Sequence, residues 1–170
     1  MNAKQNYLVP SWKNYIWQPI VIFIFLSIIL IVFFLIDSAV SVVWAVGVGS
    51  LASSAYLVFA KPSATASHPF RFVISYVIAI VCGLLMHYLG DYFLSHGQNT
   101  LYISILAALS VVITMLLMIW LRIDHPPAVG MALVFVIDLK DYRTSIIVIC
   151  AITVMMMLKF LLNPWLRDLF

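Results

Sequence analysis

The sequence contains no glutamate, and only 9% of its 170 residues are charged. A soluble domain carries about 25% charged residues, so this chain lacks the polar side chains that would cover a soluble globule. Hydrophobic residues make up 65% of the sequence. We therefore expect an all-α membrane protein that has the bilayer as its solvent.

Other features that the sequence lacks reduce the number of functions expected for the protein. The nine Lys and Arg residues form no basic run, so nucleic acid is not an expected partner. Cys82 and Cys150 lie inside apolar segments without metal-ligand spacing, as expected for thiols that pack as small hydrophobes. The chain has no GxSxG, HExxH or paired-Asp motif, so we expect no enzyme, no cofactor and no metal.

The apolar residues fall into six segments between the few charges, and a spanning helix needs roughly 20 mainly apolar residues. Four segments are long enough to be full spanning helices: residues 18–36, 70–89, 100–121 and 142–162. An interfacial leader (1–17) precedes these segments, and a short tail (164–170) follows them. Pro19 is expected in the first turn of the first helix.

The other two segments differ from these four in composition or in length. Residues 38–60 are rich in Gly, Ser and Ala, which let helices approach closely, so this segment is expected inside the bundle and broken near Gly47 to Gly49. Residues 126–137 are too few to span at 1.5 Å per residue. We expect both to be re-entrant or broken helical segments.

A short internal match suggests two repeats within one transmembrane domain (18–163). Residues 53–60 align with residues 129–136 and share the tripeptide Leu-Val-Phe. The repeats would cover residues 18–90 and 100–163, with three segments each and opposite orientations, as in many secondary transporters. The distribution of Lys and Arg places the N-terminus in the cytoplasm, and we expect a bacterial inner-membrane protein.

The densest polar cluster is residues 122–127, Arg-Ile-Asp-His-Pro-Pro. Asp124 or His125 can cap a helix whose first turn holds Pro126 and Pro127. The N–H groups of a helix start attract anions, and the guanidinium of Arg122 suits an oxyanion. The alternative is that these residues only mark a membrane boundary, where Arg122 extends to the surface and Asp124 caps the helix.

At this motif the sequence resembles the HPP family of integral membrane proteins, named for the tripeptide found here at residues 125–127 and followed by Ala-Val-Gly. The small-residue run at 49–55, the sequence Phe-Ala-Lys-Pro-Ser at 59–63 and Pro69 resemble the family's upstream pattern. The resemblance covers residues 18–162. It implies four spanning helices and a transport function, which in cyanobacterial and chloroplast relatives is associated with nitrite.

We therefore expect a transporter or channel for a small inorganic anion such as nitrite, working as a homo-oligomer. The alternatives are a non-catalytic accessory subunit of a membrane complex and a membrane-embedded enzyme. His87 is expected at the membrane interface, and Lys159 is expected to extend to the surface. The residues expected to bind the anion are Arg122, His125, Pro126, Pro127, Gly130, Ser53, Ser54 and Arg71.

Overall fold

A computed structural model describes residues 13–36, 42–93, 100–123, 125–137 and 142–169. All regular structure in these ranges is helical, and a short 3-10 turn, Thr65–Ser67, precedes the third α-helix. The α-helices are α1 (Asn14–Ile36), α2 (Val42–Ala60), α3 (Pro69–Phe93), α4 (Thr100–Trp120), α5 (Pro126–Ile137) and α6 (Tyr142–Leu162). The predicted all-α class is thus confirmed within the described residues.

Three of the described helices contain apolar stretches long enough to cross a membrane: Pro69–Phe93, Leu101–Trp120 and Ser145–Leu162. They correspond to three of the four predicted spanning segments. The apolar stretches found in α1, α2 and α5 are shorter: Ile16–Val32, Val46–Ala60 and Pro126–Ile137. The division into four spans and two partial segments therefore stays a prediction.

Several predicted helix limits are wrong. Helix α1 begins at Asn14, so Pro19 lies inside the helix and not in its first turn. Helix α2 is continuous through Gly47 and Gly49, where the sequence suggests a break, and no described glycine has a positive φ. Helix α3 continues to Phe93 and includes Asp91, beyond the predicted end of this segment at residue 89.

The shortest helix, α5, occupies the centre of the bundle. Helices α2, α3 and α4 pack around it, while α1 packs on α2, and α6 packs on α3 and α2. This position follows from the composition of α5, which has no charged residue and buries Ala128, Val134 and Phe135 completely. A helix that is apolar on all sides must be surrounded by protein or lipid.

Small residues bring α3 and α5 into backbone contact. A Cβ atom added at Gly83 of α3 would lie 2.5 Å from Cβ of Phe135 and 2.7 Å from the carbonyl oxygen of Ala132. Only glycine fits at this crossing. Close approach of this kind is how helices gain packing energy in a bilayer, where the hydrophobic effect does not drive helix association.

The polar turn between α2 and α3 (residues 61–68) defines one end of the bundle, here called the turn end. Gln18 in α1 donates through Nε2 to the carbonyls of Phe59 and Arg167, and the N–H of Leu169 donates to the carbonyl of Ala60. Helices α1, α3 and α5 therefore begin at the turn end, while α2, α4 and α6 end there. Residues 164–169 are packed against the bundle through these contacts.

Candidate functional site

Helix α5 runs parallel to α3, and its two ends lie well inside the ends of α3. His125, just before α5, contacts the rings of Phe72 and Tyr76, while Val136 near the end of α5 contacts His87. At 1.5 Å per residue, α3 extends roughly 10 Å beyond Tyr76 at the turn end and roughly 9 Å beyond His87 at the far end. Both ends of α5 are thus recessed within the bundle.

His125 links α5 to the polar turn and to α2. Its side chain is only 1% exposed, and its Nδ1 lies 2.8 Å from the carbonyl oxygen of Ala66. A carbonyl only accepts, so Nδ1 carries the hydrogen in this contact. Its Nε2 lies 2.8 Å from the hydroxyl of Ser54. The ring of His125 therefore lies in the interior of the bundle.

A tyrosine extends this contact into a chain of buried hydroxyls. The hydroxyl of Tyr76 lies 2.7 Å from Oγ of Ser54 and 3.2 Å from the carbonyl oxygen of Ser50. The hydroxyl of Ser50 donates in turn to the carbonyl of Pro127. Helices α2, α3 and α5 are thereby joined by one hydrogen-bonded group, here called the His125 network (Ser50, Ser54, Tyr76 and His125).

The His125 network can be fully bonded in either protonation state of its histidine. With neutral His125, Tyr76 donates to Ser54, and Ser54 donates to Nε2. With protonated His125, Nε2 donates to Ser54, Ser54 donates to Tyr76, and Tyr76 donates to the carbonyl of Ser50. Each hydroxyl has one donor and can accept, so reversing the direction leaves no described member unsatisfied.

A second histidine contacts α5 at the far end. His87 in α3 is 7% exposed, and its Nδ1 donates to the carbonyl of Val136 at 3.1 Å. That carbonyl belongs to the last turn of α5, where helical carbonyls lack an internal partner. Nε2 of His87 lies 3.2 Å from a carboxylate oxygen of Asp91. The His87 ring thus caps α5 from inside the bundle, and its position relative to the membrane interface stays a prediction.

Two predicted site residues lie away from this network. Ser53 is exposed, and its hydroxyl donates to the carbonyl of Gly49 in its own helix. Arg122 is also exposed and has a φ of 55°. The N–H of Arg122 donates to the carbonyl of Ile119, and that of Ile123 to Met118, which is the Schellman arrangement that ends a helix. Asp124 lies outside the described residues.

The prolines at the start of α5 do not supply the anion donors that the sequence suggested. Pro126 and Pro127 have no N–H group, and the N–H of Ala128 donates to the carbonyl of His125. Gly130 lies opposite Ser50, and a Cβ atom added at Gly130 would lie 4.0 Å from Cβ of Ser50. Pro127 and Gly130 thus lie against Ser50 of α2, while Pro126 is exposed.

Arg71 lies in a different place, at the start of α3. It lines a pocket of about 620 Å³ together with residues of the polar turn and of the last turns of α6. Lys159 of α6 also lines this pocket, and its Nζ donates to the carbonyls of Pro62 and Ser67. Lys159 is only 7% exposed, so the expectation that it extends to the surface is wrong.

Ser50, Tyr76 and Lys159 were missed by reasoning from the sequence. A usable signal existed for Ser50, because Ser50 and Ser54 are four residues apart and share one face of α2. Tyr76 and Lys159 stand alone in apolar segments, and only tertiary contacts reveal their roles.

The buried polar network, the apolar helices and the small-residue crossings define a polytopic helical membrane protein. The model of the transmembrane region of the HPP family matches residues 8–167, and the chain belongs to this family. Neither the curated proteins nor the solved structures give a significant match to the chain.

Proposed function

We propose that this HPP-family protein moves a small inorganic anion across the membrane, with nitrite as the first candidate. The observation that carries the proposal is the central α5, which is too short to span and is recessed at both ends. Interrupted helices near the midplane hold the substrate sites of many secondary transporters. The recess at the far end would give a solute access to α5 from that side.

The distribution of charge favours an anion. The described Lys and Arg side chains all lie at the turn end, where Asp168 is the only described carboxylate. A mainly positive surface concentrates anions and raises their rate of entry. The same distribution supports a cytoplasmic turn end by the positive-inside tendency. These basic residues are Lys13, Lys61, Arg71, Arg122, Lys159 and Arg167.

The His125 network would couple the turn end to the centre of the bundle. Because it stays bonded in both protonation states of His125, it allows proton exchange without leaving a buried polar group unpaired. The proposal includes a homo-oligomer, since one chain of 170 residues is small for a complete pathway.

Nitrite uptake into proteoliposomes tests the proposal. Wild type is compared with His125→Gln, which keeps a polar side chain of similar reach, and with two variants that remove one positive charge each, Arg71→Gln and Arg122→Gln. We expect saturable uptake by wild type, strong loss in His125→Gln and Arg71→Gln, and near-normal uptake in Arg122→Gln.

Circular dichroism and reconstitution yield must first show that each variant is folded and inserted. Uptake that fails in Arg122→Gln but persists in Arg71→Gln would move the anion path to the link between α4 and α5, as the sequence suggested. Failure of wild type to take up nitrite and other small anions above empty vesicles would overturn the proposed transport.

A further inference from the structure

The pocket at the start of α3 combines apolar surface with positive and donor groups. It is bordered by the polar turn, the first turn of α3 and the last turns of α6, and we call it the basic pocket. Its volume of about 620 Å³ is within the range of roughly 300–1,000 Å³ usual for small-molecule sites. Arg71, Lys159 and His68 line it together with Thr65 and Asn163, and no carboxylate is among its lining residues.

Lys159 gives the basic pocket a buried positive charge. Two of the three ammonium donors are directed at the carbonyls of Pro62 and Ser67. These carbonyls replace water as acceptors but carry no net charge, and a buried ammonium is costly unless a negative charge is near. Asp168 supplies a negative charge that acts on Lys159, and the same carboxylate accepts from the N–H and hydroxyl of Ser63.

The backbone adds donors on the same wall. In the first turn of α3, Pro69 has no N–H, and the N–H of Phe72 donates to the carbonyl of His68. The N–H groups of Phe70 and Arg71 lie between them, at positions that have no acceptor within a helix. This contrasts with α5, whose first turn begins with two prolines. Of the two helix starts, the one at α3 has the free donors beside a full positive charge.

From this arrangement we infer that the basic pocket binds an oxyanion group, held by the guanidinium of Arg71, the ammonium of Lys159 and the first N–H groups of α3. The planar fork of Arg71 matches two oxygens of one such group. The group can belong to a free inorganic ion or to the headgroup of an anionic phospholipid. Only one part of the inference rests on the proposed function, namely that a free ion bound here is also the transported substrate.

The backbone of the polar turn also connects the basic pocket to the His125 network. The carbonyl of Ala66 accepts from His125, and the carbonyl of the next residue, Ser67, accepts from Lys159. One peptide unit of the polar turn therefore lies between the buried histidine and the buried lysine. An oxyanion that contacts Lys159 would act on the segment that holds His125.

Equilibrium binding by the purified full-length protein tests this inference without any transport. Nitrite and, separately, inorganic phosphate are titrated into protein in a non-ionic detergent at constant ionic strength, with chloride as the balancing salt. Binding is followed by calorimetry and by the rise in thermal unfolding temperature that a ligand specific for the folded state produces. A second arm uses nanodiscs of phosphatidylcholine with or without phosphatidylglycerol.

The variants are Arg71→Gln and, as the matched control, Arg167→Gln, which removes one exposed charge at the same end of the bundle outside the pocket. We expect saturable binding that is about tenfold weaker in Arg71→Gln, as for loss of one charge-assisted hydrogen bond, and unchanged in Arg167→Gln. Unliganded thermal stability of both variants shows whether they fold normally.

The detergent titration and the nanodisc experiment distinguish a free ion from a lipid headgroup as the source of the oxyanion. Binding of nitrite or phosphate that depends on Arg71 supports a free-ion site. Stabilisation only by phosphatidylglycerol, again lost in Arg71→Gln, supports a headgroup site. No binding in either arm, or equal loss in both variants, overturns the inference. Arg71-dependent binding without nitrite uptake would keep the site and remove only the proposed transport.

Discussion

Both ends of α5 are held by a histidine, but the two ends are built differently. At the turn end, both ring nitrogens of His125 contact buried groups, Ala66 and Ser54. At the far end, one ring nitrogen of His87 contacts the buried carbonyl of Val136, and the other contacts Asp91, whose side chain is 69% exposed. One end is closed off by polar contacts, and the other opens to the surroundings of the bundle.

Steric packing around α5 is tighter towards its far end than towards the turn end. Near its far end α5 meets α3 in backbone contact at Gly83. Towards the start of α5, a Cβ atom added at Gly130 would still lie 4.0 Å from Cβ of Ser50. Hydrogen bonds therefore fix α5 at the turn end, and steric fit fixes it towards the far end. A small helix held in these two ways can transmit a change at one end to the other as a rigid body.

The largest effect is expected for truncation of His125. His125→Ala leaves the buried carbonyl of Ala66 and the hydroxyl of Ser54 without this partner and opens a cavity beside Phe72. The expected loss is about 3 kcal/mol. His87→Ala loses one fully buried hydrogen bond and should cost only about 1 kcal/mol. Unfolding by SDS titration, followed by far-UV circular dichroism, measures both, and an equal or reversed order would contradict the difference between the ends.

Steric fit towards the far end is tested at Gly83. Gly83→Ala places a methyl group against Phe135 and the Ala132 carbonyl, and because the nearest atoms are Cβ and backbone they cannot move aside cheaply. We expect a loss of about 2 kcal/mol. Gly49→Ala is the matched control within a helix, and the open space there predicts a change of less than about 1 kcal/mol, in the stabilising direction. Equal effects in the same unfolding assay would show that α3 and α5 are not in close contact.

Removal of one hydroxyl tests whether the His125 network is continuous. Tyr76→Phe deletes the link between Ser54 and Ser50 while keeping the ring against Phe72 and His125. The expected loss is about 1 kcal/mol. Tyr92→Phe, at a tyrosine that is 78% exposed, should change stability by no more than a few tenths of that value. A neutral Tyr76→Phe would mean that Ser54 and His125 hold α5 without the tyrosine.

The sequence predicted the helices well and the contacts between them poorly. Runs of apolar residues bounded by charges and prolines placed the ends of α2, α4, α5 and α6 within a few residues of those observed. The direction in which each side chain points was harder to predict. In a bilayer a helix is apolar on both its lipid and protein faces, so the periodicity that identifies the inner face of a soluble helix is weak.

The serines of α2 illustrate this limit. Ser53 and Ser54 were both expected at the site, yet Ser54 is fully buried against His125 while Ser53 is exposed and bonds within its own helix. Lys159 shows a second limit. Its position near a helix end predicted a surface location, but the carbonyls of a turn 92 and 97 residues away in sequence hold it inside. Long-range contacts of this kind leave no local signal.

The smallest effect is expected at Arg122, where charge and backbone conformation can be separated. The left-handed φ of 55° is strained for any residue with a Cβ, and glycine removes the strain. Arg122→Gly should therefore be more stable than Arg122→Ala by up to about 1 kcal/mol, although both lose the same charge. If the two variants unfold at the same SDS concentration, the Schellman ending of α4 is not under strain. If both variants instead abolish anion uptake while remaining folded, the positive charge of Arg122 matters more than its position at a helix end. The turn end would then hold two anion contacts where we propose one.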